Sequence, residues 1–306
     1  MGKKRDRDSV SKEDAKRDPN AMDQDSSDDE DFDIVNVDFE WFNFDPTIDF
    51  HGTKSLLRQL LDVDSSLFDT SSLADLILST NTLGSTVKVD GKETDPYALI
   101  TALRLRQRQQ HPGLDALATY LASKATAVGP SLAPLATLLA DKDAHAGLVL
   151  AERLINMPAE VAGPLYTMLV DELDDAVEEN EPYDFTHYIL LSRVYREVLP
   201  DPEVAQAEAA AVTSERRSKK QKGGRATAEE RDGAVFYFHP EDEVFARFAA
   251  ASGSYAYTKE DEANADSKRA FQEMGVKTEG LVMLFDRDGF REGVKAVAEF
   301  LKGASS

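Results

Sequence analysis

The chain has 306 residues, 42% hydrophobic and 30% charged, with 57 Asp/Glu against 35 Lys/Arg and a net charge of −22. This length and apolar content allow one large or two small domains with a sizeable core. The acidity argues against direct nucleic-acid binding through phosphates and against adsorption to anionic membranes, and the absence of cysteine excludes disulfides, Cys–zinc sites, iron–sulfur clusters and Cys nucleophiles.

The first twenty residues have no apolar stretch of the kind a signal peptide needs, and no run in the chain approaches a membrane span. A soluble intracellular protein is expected. Residues 1–33 hold 7 Lys/Arg and 12 Asp/Glu with few large apolar side chains, so a disordered acidic tail is expected there. The remaining 28 Lys/Arg and 45 Asp/Glu leave −17 on residues 34–306, so the acidity belongs to the body as well. Ser26 and Ser27 precede Asp28, Asp29 and Glu30. That context suits an acid-directed serine kinase and makes both serines phosphorylation candidates.

The body opens with Val35, Val37, Phe39 and Trp41 alternating with polar residues, a strand pattern with aromatic weight. Leu56, Leu57, Leu60 and Leu61 follow at helical spacing, and Ser71 to Leu78 predicts a short helix capped by a serine. Thr86 to Val89 before Asp90-Gly91 predicts a strand and a tight turn. Residues 96–105 fit strand or helix, and their place between two turns favours strand. From about 113 to 180 the pattern predicts helix, including 132–139 and 146–154. The last part of that span predicts one long amphipathic helix with Val161, Leu165, Leu169, Leu173 and Val177 as its apolar stripe. A buried strand is expected over 184–195. Residues 201–233 lack apolar periodicity and predict a flexible basic insertion. A strand at 234–238 and a helix from Glu241 to about Ala250 come next. The apolar run 280–285 predicts a central strand, and Phe290, Val294, Val297 and Leu301 mark a last helix. Strands and helices therefore alternate: a single α/β (α+β) domain over 34–302 with a mixed sheet, and a short tail at 303–306.

Few motifs point to catalysis. The five histidines have no metal-ligand spacing, and His239 to Glu243 reads more simply as acids at a helix start than as a ligand set. No nucleophile elbow surrounds Ser254. Asp286-Arg287-Asp288-Gly289 reads as a strand–helix turn with Asp288 as the cap. Gln221 to Ala226 matches the short pattern of an acetyl-CoA pyrophosphate loop, but the expected strand before it is missing, because 214–220 is highly charged. The same stretch reads better as a nuclear-import signal carried by Arg216, Arg217, Lys219, Lys220 and Lys222. No cofactor or metal is expected.

The strongest functional signal is the acid distribution on the long helix. Asp171, Asp174, Asp175 and Glu178 point away from the leucine stripe, Glu172 and Glu179 flank it, and no Lys or Arg interrupts 171–181. A plain solvated face usually mixes signs, because like charges one turn apart repel. The six carboxylates are therefore candidates for binding a Lys/Arg-rich client.

Several short stretches together carry a resemblance. Val35 to Glu40 with Phe44-Asp45-Pro46 and Asp49-Phe50-His51, Leu56 to Leu60, Ser72 to Leu78, Asp90 to Glu93 with Asp95-Pro96-Tyr97, Glu152 to Pro158, Val177-Glu178-Glu179 with Glu181-Pro182-Tyr183, and Phe236 to Asp242 resemble the BCCIP/Bcp family, its fungal branch above all. The resemblance spans about residues 34–302. It implies a nuclear, shuttling, non-catalytic chaperone for a basic large-subunit ribosomal protein in 60S assembly, linked also to nuclear export of a phosphatidylinositol-phosphate kinase through transport receptors. It implies a fold like that of the Gcn5-related acetyltransferases without a working acetyl-CoA site. A divergent acetyl-CoA-dependent acetyltransferase is the alternative. The leucine-rich stretch 73–83 fits an export signal, but packing in a core helix explains it better.

Overall fold

The computed structural model describes residues 38–79, 82–197, 234–260 and 276–304. The chain divides into two units, Met1–Asn36 and Val37–Ser306, and every described residue lies in the second. The expected tail, the serines Ser26 and Ser27, and the basic residues from Arg216 to Lys222 fall outside the described residues.

Among the described residues are eight strands and seven α-helices. The strands are β1 (Phe39–Asn43), β2 (Leu83–Val89), β3 (Ala98–Arg104), β4 (Ala146–Arg153), β5 (His187–Glu197), β6 (Val235–Tyr237), β7 (Ala251–Tyr255) and β8 (Val276–Asp286). The helices are α1 (Phe50–Leu61), α2 (Thr70–Ile77), α3 (Pro112–Val128), α4 (Ala133–Ala140), α5 (Ala162–Glu178), α6 (Pro240–Phe245) and α7 (Arg287–Ala304). They form one mixed sheet in the order β1-β2-β3-β4-β5-β8-β7, with β6 pairing β5 off that path. Only β4 and β5 run parallel, joined by the crossover helix α5. Two apolar layers cover the sheet. Leu148, Leu150, Ile189 and Leu191 face α1 to α4, whereas Val149, Tyr188 and Leu190 face α5, α6 and α7.

This burial on both faces corrects the helix expected over 146–154. Residues 146–150 are buried without a break, because alternate side chains enter different cores, so no strand periodicity shows. The long helix begins at Ala162 behind a short 3-10 turn at Ala159–Val161, and Val177 is exposed while Ala176 takes the core position. The cap of α2 is Asp69, whose carboxylate accepts from Ser71 and Ser72 N–H, not a serine. Likewise Asp286 Oδ1, not Asp288, accepts from Gly289 N (2.7 Å) at the start of α7. The helix after His239 ends at Phe245 and the chain then turns into β7, a strand that the glycine and serines of 251–255 hid. Leu73, Leu76, Ile77 and Leu78 are buried in and just after α2, as core packing requires.

Candidate functional site

The six acids at the end of α5 divide into two kinds. Asp171, Asp175, Glu178 and Glu179 are exposed. Asp174 is half-buried and grips the Arg291 guanidinium of α7 through both oxygens, with Nη1 donating to Oδ2 at 2.8 Å. That hydrogen bond and charge hold the Asp174 carboxyl below its usual pKa and raise that of Arg291. Glu172 faces the sheet: Oε2 accepts from Gly84 N at 2.8 Å and Oε1 from Ser85 Oγ at 3.0 Å. It ties α5 to β2 and is spent inside the fold. Four of the six, with Glu181 in the turn that follows, are left as an outward acidic edge.

The other place where this sheet could receive a ligand is the gap at the carboxyl ends of its parallel strands. β4 and β5 pair from Ala146–His187 to Leu150–Leu191 and then part, and β6 takes over the edge of β5 at Val194–Arg196. In the antiparallel register with β3, Leu154 N donates to Tyr97 O, so the N–H and C=O of Arg153 point the other way, into the gap. Both are already taken. Arg153 N donates to Glu152 Oε1 (3.1 Å), and Gln59 Nε2 donates to Arg153 O (2.7 Å) and to Glu152 Oε1 (2.8 Å).

Behind them stands a buried charged cluster. His239 Nε2 lies 3.0 Å from Glu152 Oε1, and Arg193 Nη2 lies 3.3 Å from Glu152 Oε2. Arg153 chelates the Glu241 carboxylate, and Ser192 Oγ donates to Asp242. Burial disfavours the Glu152 charge, but the hydrogen bond and charge of His239, then Arg193 and Gln59, outweigh it and lower its pKa. Burial likewise works against His239 as a cation, yet Glu152 raises its pKa. Asp242, fully enclosed and beside Glu241, is pushed up to about 7 by burial above all. Glu241 and Asp242 are each 2% exposed, so these acids are internal partners and not a solvated helix start.

A small cavity of about 20 Å³ beside Glu152 and Asp242 has room for one water. Above the cluster a hollow of about 200 Å³ opens between Ile155, Met157, Phe238 and Arg193. A cofactor pocket is usually about 300–1,000 Å³ and offers open polar groups. Here the strand edge that would offer them is capped from within. Among the described residues no group of three or more acids and histidines is arranged to hold a metal ion. The sequence signal for this cluster lay in Glu152-Arg153 and Arg193, charges that close or interrupt apolar strand runs and so require partners.

Comparison with known proteins agrees with the motifs. A model of the BCCIP family matches residues 34–245. Protein BCP1 of Gibberella zeae is 51% identical over 304 residues, covering 99% of this chain and 100% of that protein. Protein bcp1 of Schizosaccharomyces pombe is 41% identical over 271 residues, 88% of this chain and 91% of its own. The crystal structure of BCP1 from Saccharomyces cerevisiae superposes with a TM-score of 0.57 at 26% identity, covering 92% of this chain and 98% of that one. None of these names is an enzyme name. Motifs spread along the body, a family match across most of it and relatives aligned nearly end to end lead to one assignment: the chain belongs to the BCCIP family.

Proposed function

We propose that this protein is an acidic, non-catalytic escort for a basic large-subunit ribosomal protein, working in the nucleus and in export from it. The observation that supports this most is the outward acidic edge Asp171, Asp175, Glu178, Glu179 and Glu181, uninterrupted by any cation between 171 and 181. A newly made ribosomal protein carries RNA-binding surface dense in Lys and Arg. An acidic partner neutralises that surface, keeps it from premature contacts, and yields when rRNA phosphate competes. Escort of a phosphatidylinositol-phosphate kinase and recognition by transport receptors belong to the same proposal through the family resemblance. The capped edge of β4 and the small hollow above it favour binding over acetyl transfer.

Copurification with the purified ribosomal protein across a salt series tests the reading. A 1:1 complex that weakens as salt rises is expected. Replacing Asp171, Asp175, Glu178 and Glu179 with Asn or Gln should weaken it about tenfold at low ionic strength and flatten the salt dependence. Binding unchanged by those substitutions refutes the role of the edge. Acetyl-CoA should leave the melting temperature unmoved; a saturable rise would favour the acetyltransferase alternative.

A further inference from the structure

The exposed face of α5 carries two features in line. Pro164, Thr167 and Met168 in its first half and Asp171, Asp175 and Glu178 in its second fall within a sector of roughly 100° around the helix axis. α7 runs antiparallel beside it: Gly163 lies against Ala298, and Asp174 pairs with Arg291. The first-half residues, together with Gly163, Ala298 and Leu301, line a largely apolar groove of about 400 Å³ between the two helices. Gly163 makes its floor, where a Cβ would stand 3.6 Å from Ala298 Cα. Glu160 and Lys302 line the end of the groove remote from the acidic edge. The face is thus apolar at one end and single-signed at the other, with about 15 Å between the two centres.

We propose that this face docks one segment of a protein partner, a basic amphipathic helix whose apolar anchors fill the groove while its Lys/Arg cluster meets Asp171, Asp175, Glu178 and Glu179. The inference rests on the escort reading and adds to it how the client is selected. An acidic edge alone attracts any polycation. An apolar groove at fixed spacing from that edge distinguishes partners by their anchor, since apolar burial adds affinity that salt does not screen.

The test uses the full-length protein and fluorescein-labelled synthetic peptides. One peptide carries a pair of leucines one turn apart and, about ten residues on, a cluster of lysines. Its twin has serines for the leucines. The anchored peptide should bind about tenfold tighter than the twin at every salt concentration. Met168→Ser and, on the facing helix, Ala298→Gln should each shrink that advantage and leave the salt slope unchanged. Both positions are partly exposed, and circular dichroism verifies that the variants fold. Equal affinity of the two peptides overturns the groove proposal and leaves the escort reading standing. Failure of both to bind at low salt overturns it too, and the copurification experiment then decides separately whether the escort reading falls with it.

Discussion

Asp242 and His239 fix the direction in which stability depends on pH. The groups around them are Glu152 and Arg153 from β4, Ser192 and Arg193 from β5, Tyr166 from α5 and Glu241 from α6. A histidine whose pKa is raised in the fold stabilises fully below its unfolded value, and that contribution is lost as pH rises through the folded one. Asp242, raised from 3.8 to about 7, also binds its proton more tightly when folded, so its share begins to fall at about pH 4 and is lost once pH passes about 7, overlapping the lower part of the range from pH 6 to 8.5. Glu152, lowered from 4.5, acts in the opposite sense and matters only as acid is added. Between pH 6 and 8.5 ordinary carboxylates are already ionised, so the melting temperature should fall across this range. Asp242→Asn, which keeps a neutral acceptor for Ser192, should make the fall shallower; an undiminished slope would assign the effect to groups outside the cluster. A second residue-scale test concerns the Lys88–Asp49 pair, 1% and 0% exposed. Lys88 Nζ also donates to Lys92 O (2.6 Å) and Asp49 Oδ2 accepts from Asp45 N (2.8 Å). Asp49→Ala strands a buried ammonium and should cost about 3–5 kcal/mol by denaturant titration, much of which the double variant with Lys88→Met should restore.

Element by element, α5 illustrates what was legible and what was not. Its leucine stripe and acidic face stand in the sequence because periodicity reports which side is wet. Which acids look outward does not, since Glu172 and Asp174 are claimed by Gly84 on β2 and Arg291 on α7, partners distant in the chain. Glu172→Ala should therefore lower stability by about 1–3 kcal/mol, while Asp171→Asn should leave the melting temperature nearly unchanged. Gly84, the other half of the contact, has φ +138° and no room for a side chain, because a Cβ would lie 2.1 Å from Ile100 O. Gly84→Ala should be the more damaging change, visible as loss of soluble folded protein; a stable variant would mean that β2 can shift in its register. β4 failed to announce itself for a related reason. A strand buried on both faces has no alternation, and a run such as Ala146 to Leu150 has the composition of a buried helix. The charged cluster was legible only as isolated oddities, because its members come from α1, β4, β5 and α6 and meet only in the folded sheet.

For the whole molecule, the order of the sheet matters more than its size. β1 to β5 are consecutive neighbours, so each of these strands pairs with the next one in the chain. The longest ladder is different: β8 pairs all eleven residues of β5, from His187–Asp286 to Glu197–Val276, across the whole stretch that separates them. Inserted length there costs little at equilibrium, since loop-closure entropy grows only with the logarithm of length, by about 0.6 kcal/mol per doubling. It matters for timing. During synthesis the first five strands emerge with one complete edge of β5 unpaired, and that edge stays open until the last strand and α7 leave the ribosome. An open, apolar strand edge invites pairing with other chains. The nascent protein therefore passes through an adhesive interval of its own, and β8 with α7 is the closure that ends it.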